Sequence, residues 1–230
     1  MKKFRFTALA VVGCFVFFLF GRTFFAQDKF YIGKSYGVFI GMGKEEGMKL
    51  NNYEVLVLEP SEFDKDNIKK LHEKNKKIYA YLNIGSLENY RPYYEKFKDK
   101  VLGNYENWED EYWMDVSNKE WQNLVVDELG KNISYKGFDG FFIDNCDEYY
   151  QFQDEKTFDG LCSILNGLRK YHLDTIINGG DTFVSKCIDD QMAKEMFDGI
   201  NQECVFTSID LKTKNMVKNQ PKTLNILFNI

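Results

Sequence analysis

The sequence predicts a parallel α/β barrel of the TIM type, and three observations carry that expectation. Short apolar runs alternate with helix-periodic segments six times between residues 36 and 203. Five of the six runs end in polar groups: Glu59, Asn83, Asp144, Asn178 and Glu203. The first run leads into Gly41-Met42-Gly43, which is not the GxGxxG turn of a dinucleotide-binding open sheet. A strand–helix repeat in one direction makes a parallel sheet covered by helices. The C-terminal strand ends of such folds are where chemistry is placed.

The elements follow in order. Residues 36–40 form the first strand, and 54–58 the second, ending at Glu59-Pro60. A helix starts at Ser61 and runs through Ile68, Leu71 and His72, with acids early and lysines late, as the helix dipole prefers. Residues 77–82 form the third strand and lead to Asn83-Ile84-Gly85. A long aromatic excursion occupies 86–117. The helix at 118–132 gathers Trp121, Leu124, Val125 and Leu129 on one face. The fourth strand, 138–143, ends abruptly in the acids of Asp144-Asn145-Cys146-Asp147-Glu148. A helix at 157–171 buries Phe158, Leu161, Leu165 and Leu168. Residues 175–177 form the fifth strand, before Asn178-Gly179-Gly180. After a helix through Met196, the sixth strand at 198–202 reaches Glu203.

These are about six of the eight βα units of a full barrel, spanning a domain at 30–210. Residues 211–230 read as an atypical tail in which 223–230 supplies at most one strand. Six strands leave the first and sixth as apolar edges, at Val38-Phe39-Ile40 and from Ile200 onward. An open barrel of that kind is expected to be poorly soluble and inactive.

The chain opens with Lys2, Lys3 and Arg5, then an uncharged apolar run at 6–20 closed by Arg22. This is the pattern of an export signal over 1–26, cleaved or kept as an anchor. The run is short of the ~20 residues of a membrane span. Val11-Val12-Gly13-Cys14 loosely matches a lipobox. The expected location is the cell surface or the medium, with membrane contact only through this segment.

The first 27 residues carry four basic groups and no acid, so removing them moves the net charge from −5 to −9. That disfavours nucleic acid and suits a cationic ligand. The two histidines, His72 and His172, lie on helical segments away from the strand ends, which excludes a Ser-His-Asp triad and a His-ligated metal. Cys146, Cys162, Cys187 and Cys204 show no CxxC spacing. No metal or cofactor is expected. Acid–base work falls to Asp and Glu, as in glycoside hydrolysis. Trp121 reads as helix core, and Trp113 beside Asp115 as a ring for stacking on a sugar.

Several segments resemble glycoside hydrolase family 114. They are Gly85-Ser86-Leu87-Glu88-Asn89-Tyr90-Arg91-Pro92-Tyr93, then Trp113-Met114-Asp115-Val116 with Trp121, then residues 137–150, then Asn178-Gly179-Gly180, and Glu203 before Val205-Phe206-Thr207. The resemblance covers about residues 35–210. It implies a (β/α)₈ barrel and an endo-α-1,4-polygalactosaminidase-like activity on a cationic, galactosamine-rich polysaccharide. It also implies a catalytic Asp closing the fourth strand and a Glu closing the sixth, which are Asp144 and Glu203 here.

Carboxylates reaching inward from those strands come within the ~5–5.5 Å of a retaining pair. Asp144 is the expected nucleophile and Glu203 the acid/base. Glu59, Asn83, Glu88, Tyr90, Arg91, Trp113, Asp115, Asp147 and Asn178 are the expected substrate-binding residues. Arg91 equally fits an ion pair that orders its loop, and Asp147 and Glu148 equally fit solvated loop acids. Asp139 reads as a turn residue, and Tyr81 as a side chain pointing into the barrel core. A monomer is expected. The alternative is a non-catalytic barrel fragment that at most binds glycan.

Overall fold

The computed structural model describes residues 35–106, 108–203, 207–210 and 215–218. The segment expected to direct export, Cys204 and the possible strand at 223–230 lie outside them.

The described elements begin with β1 (Tyr36–Phe39), the short helix α1 (Lys44–Gly47), β2 (Val55–Leu58), α2 (Lys65–His72) and β3 (Lys77–Asn83). The stretch expected as one irregular excursion contains β4 (Ser86–Glu88), α3 (Tyr94–Phe97), β5 (Val101–Asn104) and β6 (Glu111–Met114). Then come α4 (Lys119–Asn123), which continues through a wide π turn at Leu124–Gly130 into α5 (Lys131–Lys136), and β7 (Gly140–Asp144). They are followed by α6 (Glu148–Phe152), α7 (Glu155–Leu168), β8 (Asp174–Asn178), α8 (Asp181–Asp189), α9 (Ala193–Met196) and β9 (Gly199–Asn201). A hairpin of β10 (Thr207–Asp210) and β11 (Asn215–Lys218) comes last, and the sequence pattern had not placed it.

Six strands form one parallel sheet in the order β1-β2-β3-β7-β8-β9. They are the six expected from the apolar runs. Alternation along each strand separates two faces. Leu56, Leu58, Ile78, Ala80, Leu82, Phe141, Ile143 and Ile177 point to the helices and share one core with Ile68 and Leu71 of α2, Trp121 of α4, Leu161, Leu165 and Leu168 of α7, and Phe183 of α8. The other face carries Val57, Tyr79, Tyr81 and Phe142, with Val55 and Ile176 beside them. Each fully buried aliphatic or aromatic side chain contributes about 1.5–3 kcal/mol, so the helix-facing core dominates stability.

The sheet curls. The first and last strands of its order are brought together where the Tyr36 hydroxyl donates to Asn201 Oδ1 at 2.9 Å. Val38 and Ile200 on these two strands are exposed. The result is a curled, barrel-like parallel sheet with its inner row enclosed.

Helix starts follow from short polar side chains. Asp64 and Asn67 satisfy each other's backbone amides in a capping box. That begins α2 four residues later than Ser61 suggested, after a turn at Pro60–Glu62. Asn118 caps α4, and Asp154 caps α7. Gly137, at φ 88°, ends α5 in the left-handed conformation and turns the chain into β7.

The excursion folds into a three-stranded antiparallel sheet, β4-β6-β5, that opens directly from the end of β3. It is anchored by the Trp121 indole N–H on the Ile84 carbonyl at 2.9 Å and by Met114 N–H on the Gly85 carbonyl at 3.0 Å. At Gly85 an added Cβ would fall 1.9 Å from the Asn145 carbonyl oxygen, so only glycine admits this approach of two backbones.

Candidate active site

The inner alternation of the sheet ends in polar groups. Glu59 continues the row of Val57, Asn83 that of Tyr81, Asp144 that of Phe142, and Asn178 that of Ile176. Register sets Asn83 beside Asp144 and Asn178 beside Asn201. The polar strand ends therefore form one arc.

Asp144 and Glu203 meet through Asn178. Its Nδ2 donates to Asp144 Oδ1 and to Glu203 Oε1, each at 3.0 Å. Those oxygens are thus no more than about 6 Å apart. Donation along two N–H directions about 120° apart puts them roughly 5 Å from each other. The amide is itself oriented: Asn201 Nδ2 donates to Asn178 Oδ1 at 2.6 Å, and Tyr36 donates to Asn201. The other oxygen of Asp144 accepts the Tyr81 hydroxyl at 2.8 Å. Burial raises the Asp144 pKa, and the nearby Glu203 charge adds to this. The hydrogen bonds from Asn178 and Tyr81 oppose it by favouring the carboxylate. Burial and Asp144 push the Tyr81 phenol far up, so it stays a donor. Tyr81 was expected in the barrel core. Its ring is there, and its hydroxyl reaches the arc.

Asp147 belongs to the same cluster. Its Oδ2 accepts the Gly180 backbone N–H at 3.2 Å, and burial followed by the Asp144 charge raises its pKa to about 6. It is partly buried, which corrects the solvated-acid alternative.

Other expected binding residues are engaged with each other. The Arg91 guanidinium bonds Glu59 through two nitrogens, at 3.0 and 3.1 Å, and Glu88 through two, at 2.6 and 3.0 Å. This is the loop-ordering ion pair. Glu59 also accepts from Ser61, and Glu88 accepts the Tyr90 hydroxyl at 2.8 Å. The Tyr90 ring is 67% exposed, beside a cavity of about 620 Å³ that is also lined by Ile40, Glu59 and Arg91. Asn83 is buried and closes the β3–β4 turn by bonding both the Ser86 backbone N–H and hydroxyl.

Two expected substrate contacts are corrected. Trp113 is only 4% exposed, because the Tyr105 ring stacks over it at 4.0 Å and its indole N–H goes to Glu106. Asp115 is held by Ser117 in a turn and by Lys156 at 2.9 Å, which together keep its pKa low against burial.

The sequence pattern missed Tyr105, Ser86, Asn145 and Glu111. Tyr105 presents the accessible ring in place of Trp113, and its hydroxyl donates to Asn145 Oδ1 at 3.2 Å. Burial raises its pKa most, and Asp147, Asp144, Glu111 and Glu203 all add to the shift, so four carboxylates surround this phenol. The Ser86 hydroxyl accepts from Asn83 and Asn145 and donates to Glu111 at 2.8 Å. Burial raises the Glu111 pKa. Asn145 adopts φ 66°, a left-handed conformation tolerated by Asn, and it ties β7 to the antiparallel sheet. Only Asn145, directly after the strand-end acid, gave a local signal; the others came from the excursion that had no clear period.

Glu148 is the other surprise. It is 0% exposed, and neither carboxyl oxygen has a hydrogen-bond partner among the described residues. Burial, then the Asp115 charge, raises its pKa to about 9. The Val116 backbone amide acts the other way without reaching hydrogen-bond geometry. Asp139 lies at the opposite end of its strand, accepting the Ile78 N–H at 2.7 Å.

A curled parallel sheet that brings carboxylates together at its strand ends is a frame suited to the glycoside hydrolase class of (β/α) enzymes. The chain belongs to glycoside-hydrolase family GH114, whose family model matches residues 32–214. Its fold is similar to the glycoside hydrolase domain of PelA from Pseudomonas aeruginosa, with a TM-score of 0.67 and 15% identity, covering 85% of this chain and 76% of that one. It is also similar to Ega3 of Aspergillus fumigatus, solved in complex with galactosamine, with a TM-score of 0.61 and 21% identity, covering 75% and 68%. The uncharacterized protein MJ1477 of Methanocaldococcus jannaschii is 34% identical over 97 residues. That match takes in 40% of this chain and 28% of MJ1477, so the chain spans little more than a quarter of that relative.

Proposed function

We propose that this protein is an exported endo-glycosidase that cleaves α-linked, galactosamine-rich polysaccharide with retention of configuration. The observation that supports the reading best is the single Asn178 amide donating to both Asp144 and Glu203 at 3.0 Å. It limits one oxygen of each carboxylate to about 6 Å from the other, which favours the spacing of a retaining pair over the wider spacing of an inverting one. Asp144 attacks the anomeric carbon. Tyr81 and Asn178 hold it as a carboxylate and aim it. Glu203, exposed at the mouth of the arc, protonates the leaving oxygen and then takes a proton from the incoming water. Tyr105 offers its ring to a sugar face, and Glu111 and Asp147 beside it favour a protonated amine. Galactosamine bound to Ega3 and the acidic cleft here support the same substrate class.

Residues 1–26 serve export in this reading, residues 30–210 form the barrel domain, and the chain acts as a monomer. The test is oligosaccharide release from partly deacetylated galactosaminogalactan. Asp144→Asn and Glu203→Gln should each lower turnover at least ~10³-fold. Azide should then separate the roles. With Asp144→Ala it should yield the glycosyl azide of opposite anomeric configuration, and with Glu203→Ala that of retained configuration. Near-normal turnover in either carboxamide variant, or the reverse pairing of azide products, would overturn the assignment.

A further inference from the structure

Helices α7 and α8 follow adjacent parallel strands, so both run back along the sheet in the same direction. Their contact is fixed by Phe158 and Phe183, whose rings lie 5.4 Å apart, and by Lys186 Nζ at 4.6 Å over the Phe158 ring. Cys162 and Cys187 each follow those phenylalanines by four residues. One turn further along both helices therefore brings the two thiols onto the same seam. Both are buried and both are free, and each thiol shifts the titration of the other, as neighbours on one seam do. The third described cysteine, Cys146, is fully buried in the loop after Asp144, off both helices.

We propose that Cys162 and Cys187 form a disulfide that staples the helix behind Asp144 to the helix behind Asn178. Glycoside cleavage does not require this bond, and the proposal stands whether or not the proposed function holds.

The chemistry is thiol–disulfide exchange with an external disulfide, such as glutathione disulfide. A Cys162 thiolate attacks one sulfur of the oxidant, forming a mixed disulfide and releasing one thiolate. The neighbouring Cys187 thiolate then attacks Cys162 Sγ and releases the second. Two cysteine thiols lose two protons and two electrons, and the external disulfide is reduced to two thiols. The order follows from the site. Cys162, at 8% exposure, is the more accessible of the two, and the neighbouring Cys187 thiol lowers its pKa, with Lys186 helping. The adjacent Cys162, together with burial, pushes the Cys187 thiol up, so it acts second. The closed loop holds the whole of β8, including Asn178.

The experiment uses the full chain, incubated with glutathione disulfide or with a thiol reductant. Free thiols are alkylated under denaturing conditions, and peptides are mapped by mass spectrometry without reduction. The expected result is a Cys162–Cys187 cross-link with Cys146 alkylated. The oxidised protein should melt roughly 5–10 °C higher than the reduced one, because a loop of this length is constrained in the unfolded chain. Cys162→Ala should abolish both the cross-link and the difference in Tm. Should that variant not fold, mapping and melting of the unmutated chain decide alone. Recovery of both cysteines alkylated after oxidation, linkage of either to Cys146 or another cysteine, or a cross-link without a rise in Tm would each overturn the proposal.

Discussion

Glu148 makes the stability of this protein depend on pH in a direction opposite to most carboxylates, and Glu148→Gln isolates the effect. In the folded chain its pKa rises from 4.5 to about 9, chiefly through burial. Between those values the unfolded state has lost the proton and the folded state keeps it. The folded state then binds more protons, so stability is full below about pH 4.5 and falls as pH rises toward 9. At pH 7 the gap between solution pH and 4.5 costs on the order of 3 kcal/mol, at 1.36 kcal/mol per pKa unit. Gln has nearly the same shape and no charge to lose, so it escapes this penalty. Its amide still leaves buried donors without partners, at about 1–3 kcal/mol, much as the protonated acid does. The variant should therefore match the parent protein near pH 5 and exceed it by about 1–3 kcal/mol at pH 7. Urea unfolding at pH 5, 6, 7 and 8 measures this directly. Parallel stability profiles for the two proteins across that range would refute the reasoning.

Other perturbations act on the carboxylate arc and on the ion-pair cluster. Asn178→Ala removes the donor shared by Asp144 and Glu203, at a cost of about 1.5–3 kcal/mol for hydrogen bonds to charged groups, so kcat/KM should drop ~10–100-fold while circular dichroism is unchanged. Unaltered kinetics would show that the amide does not organise the pair. Arg91→Met strands the largely buried Glu59 and Glu88 carboxylates and should destabilise the fold by about 3–5 kcal/mol, read from the urea midpoint. A loss below 1 kcal/mol would mean that solvent reaches both acids.

Much of this architecture was legible because it rests on local repeats. The apolar runs from Val55 to Leu58 and from Phe141 to Ile143 are bounded by turn residues, and each became a strand of the parallel sheet. The helix expected from Asn118 does start there, and Asp154 marks a start that the apolar period alone placed two residues late, because capping and not hydrophobicity sets the first turn. The segment from Ser86 to Met114 was illegible. Its strands are three or four residues long, and Glu88 pairs with Glu111 across more than twenty residues, so no short window reveals the partner. Trp113 looked available to a ligand because nothing in its own neighbourhood announces the Tyr105 ring that covers it.

The sequence by itself determined the succession of the six parallel strands and the helices between them, and that Asp and Glu rather than His stand at the strand ends. These follow from alternation and periodicity, which the backbone enforces residue by residue. Only the tertiary structure decided what those acids do to one another. Asn178 bridges Asp144 and Glu203, Tyr36 of the first strand reaches Asn201 of the last, and Glu148 is sealed away from water. The reason is that distance and burial depend on how far the sheet curls and on where the antiparallel excursion packs. Both are sums of contacts between residues distant in the chain, so no local pattern encodes them.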